Sequence, residues 1–291
     1  MLALAFAIAC VIGVTASAGA QTPVQRGRYL VETIGACANC HTPKGPEGDI
    51  ADKHLAGGFG SEESFGTWVA PNITPDRQTG IGAWTDAELV RAIREGKHRS
   101  GRTLGPPMPF AEYRKLSDRD VKAMVAYLRT VKPVRNQAPR SRYTVPLPAS
   151  YGPPVVSVPD TSQRDPLAYG AYLAGPVAHC VECHTPLTAD GQPDPARVFA
   201  GGMPFKGPWG TSYAANITPD AETGIGRWTD EEITRAFVNG IRPGGRVLLP
   251  PMPWPYYAVR VAASDARAIV AYLRSLPPIQ HKVPPPEPPK P

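Results

Sequence analysis

The chain has 291 residues, 42% of them hydrophobic, a length and composition that suit two globular domains of ordinary size. Its net charge of +6 and pI near 9.1 indicate a mildly basic surface. Because it contains no run of Lys and Arg like those of nucleic-acid-binding proteins, we do not expect nucleic acid as a partner.

Residues 1–20 have the features of an export signal. The segment has no charged residue, is mostly apolar and ends in Ala18-Gly19-Ala20, the small-x-small pattern that signal peptidase cuts. We therefore predict a signal peptide over residues 1–20. The missing positive charge at its start leaves a second interpretation open, an uncleaved N-terminal anchor, since the stretch is close to the length that spans a bilayer.

The rest of the chain contains an internal duplication. Four motifs recur in the same order at an offset that drifts only from 143 to 145 residues. The matching segments are 37–43 and 180–186, 72–86 and 216–230, 106–109 and 250–253, and 126–129 and 271–274. This pattern predicts two tandem domains of one fold. We place them at residues 21–133, hereafter the first copy, and 164–278, the second copy.

Three helices are predicted in each copy. The predicted ranges are 25–35, 86–95 and 118–131 in the first copy and 165–175, 230–239 and 265–276 in the second. Thr85-x-x-Glu88 has the form of a capping box, with Gly96 as the stop signal, and the second copy repeats both features. Since no segment shows sustained apolar alternation with hairpin turns, we predict an all-α fold.

Prolines mark the boundaries of the two copies. Residues 134–163 contain six of the 36 prolines, which predicts an extended and fairly stiff linker that does not pack as an element. Residues 279–291 form a second Pro-rich segment, which we predict to be a C-terminal tail.

Each copy carries Cys-x-x-Cys-His, the attachment signature of c-type haem. Cysteines three residues apart lie on one face of a short helix, so both can bond to the vinyl groups of one porphyrin. The sequence therefore predicts two covalently bound haem c groups. The predicted thioether residues are Cys37, Cys40, Cys180 and Cys183, and the predicted proximal iron ligands are His41 and His184.

Two other kinds of site use the same cysteine spacing. A zinc site would have to join the two copies, and it would leave the two following histidines without a role. A thioredoxin-like redox pair needs a βαβ context, which the sequence does not predict.

Met108 and Met252 are the predicted second axial ligands of the two irons. Of the four methionines after residue 20, only these two match each other in the duplication, and both lie in Pro-Pro-Met-Pro. Flanking prolines fix the backbone, so such a loop can hold a thioether rigidly. His/Met ligation would leave no position on the iron for O₂, peroxide or substrate, which predicts outer-sphere electron transfer.

Other repeated residues are candidates for the haem pocket. They are Asn72, Trp84, Asn216 and Trp228. Each side chain could donate a hydrogen bond to a haem propionate. Each could equally order a loop or pack in the core, and the sequence leaves both interpretations open.

Taken together, these motifs resemble the cytochrome c subunits of bacterial periplasmic dehydrogenases, including quinone-dependent alcohol, flavin-dependent gluconate and molybdenum-containing aldehyde enzymes. The resemblance covers both copies and implies tandem cytochrome c-like domains with the predicted cysteine, histidine and methionine ligands. It also implies a periplasmic protein that is not an enzyme on its own. Such a protein would pass electrons from a dehydrogenase catalytic subunit to another cytochrome, an oxidase or a quinone.

This sequence departs from the three-haem members of that family. It has no third Cys-x-x-Cys-His, and its tail predicts no membrane helix, so membrane contact would be limited to the N-terminal segment. An alternative function stays open at this point: a di-haem enzyme, such as a peroxidase or a thiosulfate-oxidising cytochrome.

Overall fold

The computed structural model describes residues 21–289, so the predicted signal peptide lies outside the described residues. Within this range the α-helices are α1 (Pro23–Tyr29), α2 (Ala38–His41), α3 (Asp86–Glu95), α4 (Phe110–Tyr113), α5 (Asp118–Leu128), α6 (Pro166–Tyr172), α7 (Cys180–His184), α8 (Asp230–Asn239), α9 (Trp254–Arg260) and α10 (Ala263–Ser275). The π-helical turns Leu30–Ile34 and Leu173–Val177 continue α1 and α6, and a 3-10 turn spans Ala51–Lys53. None of the described helices is both long and apolar enough to cross a membrane.

The predicted capping box before α3 is confirmed. The Thr85 hydroxyl accepts a hydrogen bond from the Glu88 amide at 3.2 Å, and the Glu88 carboxylate accepts one from the Thr85 amide at 2.7 Å. The helix ends at Gly96, whose φ of 61° lies in the left-handed region that glycine adopts without strain. Helix α8 begins and ends in the same way, so both helices have the bounds that their local signals predict.

The prediction of an all-α fold is wrong, because short strands accompany the helices in both copies. The strands within residues 21–289 are β1 (Lys44–Gly45), β2 (Gly48–Asp49), β3 (Gly60–Glu63), β4 (Gly66–Val69), β5 (Arg142–Tyr143), β6 (Pro204–Gly207) and β7 (Gly210–Tyr213). They pair in three small antiparallel sheets, in the orders β1-β2, β3-β4-β5 and β6-β7. The described chain is therefore a mixed α/β structure.

These strands escape detection for a physical reason. Each has only two to four residues, and β3 reads Gly-Ser-Glu-Glu, which has no apolar face to bury. The pairing of β3 with β4 rests on backbone hydrogen bonds, which leave little trace in residue type when a strand lies at the surface.

In each copy the first helix crosses the long C-terminal helix at a glycine. Helix α1 packs on α5, and α6 packs on α10. A Cβ atom on Gly27 would lie 1.8 Å from the Ala123 carbonyl oxygen, and one on Gly170 would lie 2.0 Å from the Ala268 carbonyl oxygen. No side chain fits at either position, so the two backbones approach each other directly.

The two copies share a buried interface with approximate two-fold symmetry. The Tyr29 hydroxyl donates to Asp265 at 2.8 Å, and the equivalent Tyr172 hydroxyl donates to Asp120 at 2.9 Å. Arg26 forms a buried ion pair with Asp120 at 2.7 Å. One hydrophobic cluster contains core residues from both copies around this network. The copies therefore pack against each other through apolar contacts and satisfied polar groups.

Residues 134–163 differ from the unpacked linker predicted above. The segment is mostly extended, but it lies along the first copy and bonds to it. The Tyr143 hydroxyl donates to the Pro106 carbonyl at 2.8 Å, and the Tyr151 hydroxyl donates to the Leu104 carbonyl at 2.9 Å. The linker thus supports the loop that leads to Met108.

Candidate haem-binding site

Each Cys-x-x-Cys-His segment is entered through a sharp backbone turn. The π-helical turn of each copy is followed within two residues by a left-handed residue, Ala36 with φ of 45° or His179 with φ of 42°. Residues other than glycine rarely adopt this conformation. Its recurrence at equivalent positions indicates that the turn helps to set the direction of the segment that follows.

The four cysteines lie where short helices begin. Cys37 precedes α2 and Cys40 lies within it, and α7 contains both cysteines of the second copy. All four cysteines in residues 21–289 are half-buried, and none of them forms a disulfide. No group of three or more His, Cys, Asp or Glu residues in that range is arranged to hold a metal ion, so the zinc alternative finds no ligand cluster there.

Both histidines of the motif are anchored through one ring nitrogen. His41 Nδ1 lies 2.9 Å from the Pro71 carbonyl oxygen, and His184 Nδ1 lies 2.7 Å from the Ala215 carbonyl oxygen. Because a carbonyl only accepts, Nδ1 must carry the proton, which leaves the lone pair of Nε2 free. Burial lowers the pKa of both imidazoles, although these hydrogen bonds oppose the shift, so both rings are neutral at pH 7. A neutral imidazole fixed in this way is suited to bind iron through Nε2.

The two candidate methionines are half-buried in equivalent loops. Met108 packs against the edge of the hydrophobic core, as Cys37 does. Its loop is held by the Tyr143 contact to Pro106, and the second copy holds Pro250 through the Ser212 hydroxyl at 2.6 Å. The donor set of each copy therefore fits covalent haem c, with two thiols, one free imidazole nitrogen and a supported thioether loop. Ligation by the methionines stays a prediction.

Asn72 and Asn216 are buried and bonded to protein. The Asn72 side chain donates to the Val134 carbonyl at 2.8 Å and accepts from the Thr74 amide and hydroxyl at 2.9 and 2.7 Å. Asn216 makes the equivalent contacts, with Ile279 in place of Val134. These bonds support the loop-ordering interpretation of both residues, and a haem contact by either stays a prediction.

Trp84 and Trp228 are half-buried and pack at the edge of the core. The Trp84 ring lies edge-on to His98, with centroids 4.7 Å apart, whereas Trp228 lies beneath the Arg242 guanidinium at 5.6 Å from its ring centroid. Each indole therefore has a cationic or titratable neighbour on its outer side. Their contact with haem stays a prediction.

Sequence reasoning missed two buried tyrosines. Tyr113 in α4 and Tyr257 in α9 follow the two methionine loops at equivalent positions. Burial raises the pKa of both far above its ordinary value, and the neighbouring Cys37 and Cys180 thiols raise it further. Both phenols therefore stay protonated beside the attachment cysteines. The repeat contained the signal, since Tyr recurs five residues after Met in each copy.

The helices that follow the two methionine loops pack crosswise at the shared interface, each against the π-helical turn of the other copy. Helix α4, which follows Met108, packs against the π-helical turn Leu173–Val177 of the second copy. Helix α9, which follows Met252, packs against Leu30–Ile34 of the first copy. The Tyr113 and His179 rings lie edge-to-face with centroids 5.8 Å apart. Each methionine loop thus leads into a helix that packs against the turn before the other copy's Cys-x-x-Cys-His segment.

Comparison with known proteins defines the class. Residues 24–132, which include all but the first residue of α1 and the whole of α2 to α5, match a family model described as cytochrome c. Over 278 residues the chain is 30% identical to a diheme cytochrome c-type protein of Cereibacter sphaeroides, and the alignment covers 90% of this chain and 89% of that protein. The chain belongs to this family of di-haem c-type cytochromes, and its cofactor is covalently bound haem c.

Two longer relatives connect the family to dehydrogenases. The chain is 34% identical to one of the subunits of a nicotinate dehydrogenase from Pseudomonas putida, with 87% of this chain and 21% of that protein aligned. It is also 34% identical to the cytochrome subunit of a fructose dehydrogenase from Gluconobacter japonicus, with 87% and 52% aligned. The chain thus spans about a fifth of the first relative and half of the second. The resemblance to dehydrogenase cytochrome subunits is confirmed.

Proposed function

We propose that the chain is a periplasmic di-haem electron carrier, not an enzyme on its own, that passes electrons from a dehydrogenase to a downstream acceptor. The observation that carries the proposal is the doubled histidine anchor, in which Nδ1 of His41 and of His184 bonds to a loop carbonyl and leaves Nε2 free. A ligand fixed in this way keeps its position when the iron changes charge, which suits outer-sphere electron transfer.

In this proposal each copy holds one haem. Cys37, Cys40, His41 and Met108 serve the first haem, and Cys180, Cys183, His184 and Met252 serve the second. Haem c supplies a one-electron iron couple, whose potential a thioether ligand raises. The chain binds the porphyrin, excludes water from it and keeps both ligating side chains in fixed positions.

We infer that electrons also pass between the two haems of one molecule. The crosswise packing of α4 and α9 supports this inference, because it places the turns that lead into both Cys-x-x-Cys-His segments at a single buried interface. The hydrogen bonds from Tyr29 to Asp265 and from Tyr172 to Asp120 hold the interface together on its two sides.

The relatives support a dehydrogenase as the electron donor, since one of them is named as the cytochrome subunit of a fructose dehydrogenase. They give no support to the peroxidase or thiosulfate-oxidising alternative. A further cytochrome, an oxidase or a quinone is our proposal for the acceptor. The periplasmic location, and an inner-membrane tether through residues 1–20, belong to the same proposal.

A near-infrared spectrum tests the ligand set. The oxidised holoprotein, exported by a host that matures c-type cytochromes, should carry two haems per chain by mass and show the Met–Fe(III) charge-transfer band at two-haem intensity. Met108→Ala and Met252→Ala should each remove about half of the band, because each removes one thioether ligand. Met124→Ala, which lies in the core of α5, is the control and should leave the band in full. A high-spin wild-type spectrum or rapid turnover of peroxide would contradict the proposal.

A further inference from the structure

The basic charge of the protein is concentrated on one side of the duplication. Residues 21–163 contain 19 Lys and Arg against 14 Asp and Glu, whereas residues 164–278 contain ten of each. The two copies share one fold and one set of haem motifs. The charge difference is therefore a property of surface residues that the haem sites do not require.

Four exposed arginines, two in the first copy and two in the linker, lie in two neighbouring segments. Arg99 and Arg102 belong to the turn after α3, which closes with a hydrogen bond from the His98 amide to the Arg102 carbonyl at 2.9 Å. Arg140 and Arg142 belong to the linker, where Arg142 lies in β5 opposite Thr67. We call these four residues the arginine face.

Three of the four arginines lie near His98, and none of the four forms an ion pair with another described residue. Burial lowers the pKa of His98, and the charges of Arg102, Arg99 and Arg140 lower it further, whereas the charge of Glu88 raises it. No carboxylate of residues 21–289 lies within 4.0 Å of any of the four guanidiniums. Neighbouring positive charges that form no ion pair repel one another unless a negative group joins them.

The arginine face adjoins the loop that leads to Met108. Tyr143, next to Arg142 in β5, donates to the Pro106 carbonyl at 2.8 Å, and its ring fills the space beside Gly105. Val145, two residues after Tyr143, and Pro107, next to Pro106, are exposed, and Val145 keeps 45% of its surface. Exposed apolar residues near charged ones are common in protein–protein interfaces.

The second copy does not preserve the arginine face. At the position of Arg142, the C-terminal segment places Glu287, which pairs with Thr211 as Arg142 pairs with Thr67. Arg246 corresponds to Arg102, but the equivalents of Arg99 and Arg140 are prolines. The duplication thus provides an internal reference in which the same fold lacks the face.

We propose that the arginine face is the docking site for the acidic surface of a redox protein, which exchanges electrons with the first haem. The inference rests on the proposed function, and it adds the route and the chemistry of recognition. Clustered charge of one sign accelerates association by a factor of about 10 to 1,000, an effect that salt screens. Electrons then pass between this partner and the second haem by way of the first haem and the interface between the copies.

Stopped-flow reduction of the oxidised holoprotein tests the proposal with two electron donors. The protein donor is reduced flavodoxin, which has an acidic surface, and the small donor is uncharged 1,4-hydroquinone. The test variant is Arg99→Gln/Arg102→Gln/Arg140→Gln. The control, Arg235→Gln/Arg246→Gln/Arg267→Gln, removes the same charge from exposed, unpaired arginines of the second copy.

We expect the flavodoxin rate constant to fall with added salt and to be about tenfold lower in the test variant. It should change less than twofold in the control, and hydroquinone should reduce all three proteins equally fast. Equal losses in the two triple variants, or a rate that salt does not alter, would overturn the docking site and leave the electron carrier intact. Failure of both donors to reduce the wild-type haems would overturn the proposed function itself.

Discussion

At the scale of single residues, the two copies differ in the contacts of the turn that leads into the first Cys-x-x-Cys-His segment. Glu32 accepts hydrogen bonds from His54 at 2.8 Å and from Tyr127 at 2.6 Å. In the second copy the positions of Glu32 and His54 hold a glycine and a valine. The first copy therefore has a titratable ion pair that its duplicate lacks.

This pair predicts a pH-dependent contribution to stability. The hydrogen bond to Glu32 raises the pKa of His54 above 6.5. The stabilisation that His54 contributes is therefore full below pH 6.5 and is lost as the pH rises through the raised pKa of the folded protein. Burial raises the pKa of Glu32, but the bonds from His54 and Tyr127 outweigh it and leave the pKa below 4.5. The stabilisation that Glu32 contributes is full above pH 4.5 and is lost as the pH falls through its lowered pKa. The pair should therefore stabilise the fold most between about pH 4.5 and 6.5.

Urea unfolding of wild-type and His54→Ala holoprotein at pH 5.5 and pH 8.5 measures the effect. Since the His54 side chain is 40% exposed, we expect His54→Ala to lower the free energy of unfolding by about 0.5 kcal/mol at pH 5.5. At pH 8.5 the two proteins should be almost equally stable. The groups that also act on the pair are Arg28, Asp49 and Tyr127. Equal effects of the substitution at both pH values would show that His54 acts through packing alone.

At the scale of helices and strands, the sequence predicts an element when its signals are local. Helix α3 has the predicted bounds, because its start and stop signals all lie in or next to the helix itself. They are Thr85 and Glu88 at its start and Gly96 at its end. Strand β5 shows the opposite case, because Arg142 and Tyr143 become a strand only by pairing with β4 from 75 residues earlier. Nothing in a Pro-rich segment predicts such a partner.

The crossing of α1 over α5 gives a prediction at this scale. Gly27→Ala should destabilise the holoprotein by about 3 kcal/mol, because the added methyl would overlap the Ala123 carbonyl and force the helices apart. Unfolding in urea followed by circular dichroism measures the loss. Gly45→Ala is the matched control, since its new Cβ would meet Ile50 at an ordinary 3.5 Å. Losses of similar size in both variants would mean that the crossing tolerates a side chain.

At the scale of the whole molecule, the duplication predicts the chemistry of each half but not how the halves join. Cys and His recur at an offset of 143 residues and Met at 144, so the sequence predicts a ligand set for each half. The interface depends on Tyr29 reaching Asp265, residues 236 positions apart, and no local pattern distinguishes these from other helix residues. Tertiary packing alone decides which tyrosine meets which carboxylate, and it brings the two attachment segments together.

The interface predicts that the two copies unfold as one unit while its hydrogen bonds are intact. The Tyr172 hydroxyl donates to Asp120 at 2.9 Å and accepts from the Ser117 amide at 3.2 Å. Tyr172→Phe therefore leaves the buried Ser117 amide without a partner and removes one donor from Asp120, which keeps its ion pair with Arg26. We expect the double variant Tyr29→Phe/Tyr172→Phe to lose about 2 to 4 kcal/mol of its free energy of unfolding. In calorimetry of the holoprotein, the single transition of the wild type should then separate into two.

A third tyrosine distinguishes coupling from stability. Tyr151→Phe also removes a hydrogen bond, from its hydroxyl to the Leu104 carbonyl at 2.9 Å, but that bond lies within the first copy and its linker. It should lower the transition temperature without separating the transition, because the contact between the copies is unchanged. If the Tyr29→Phe/Tyr172→Phe variant still unfolds in one step, apolar packing alone couples the copies. The internal route for electrons would then not depend on the tyrosine–aspartate pairs.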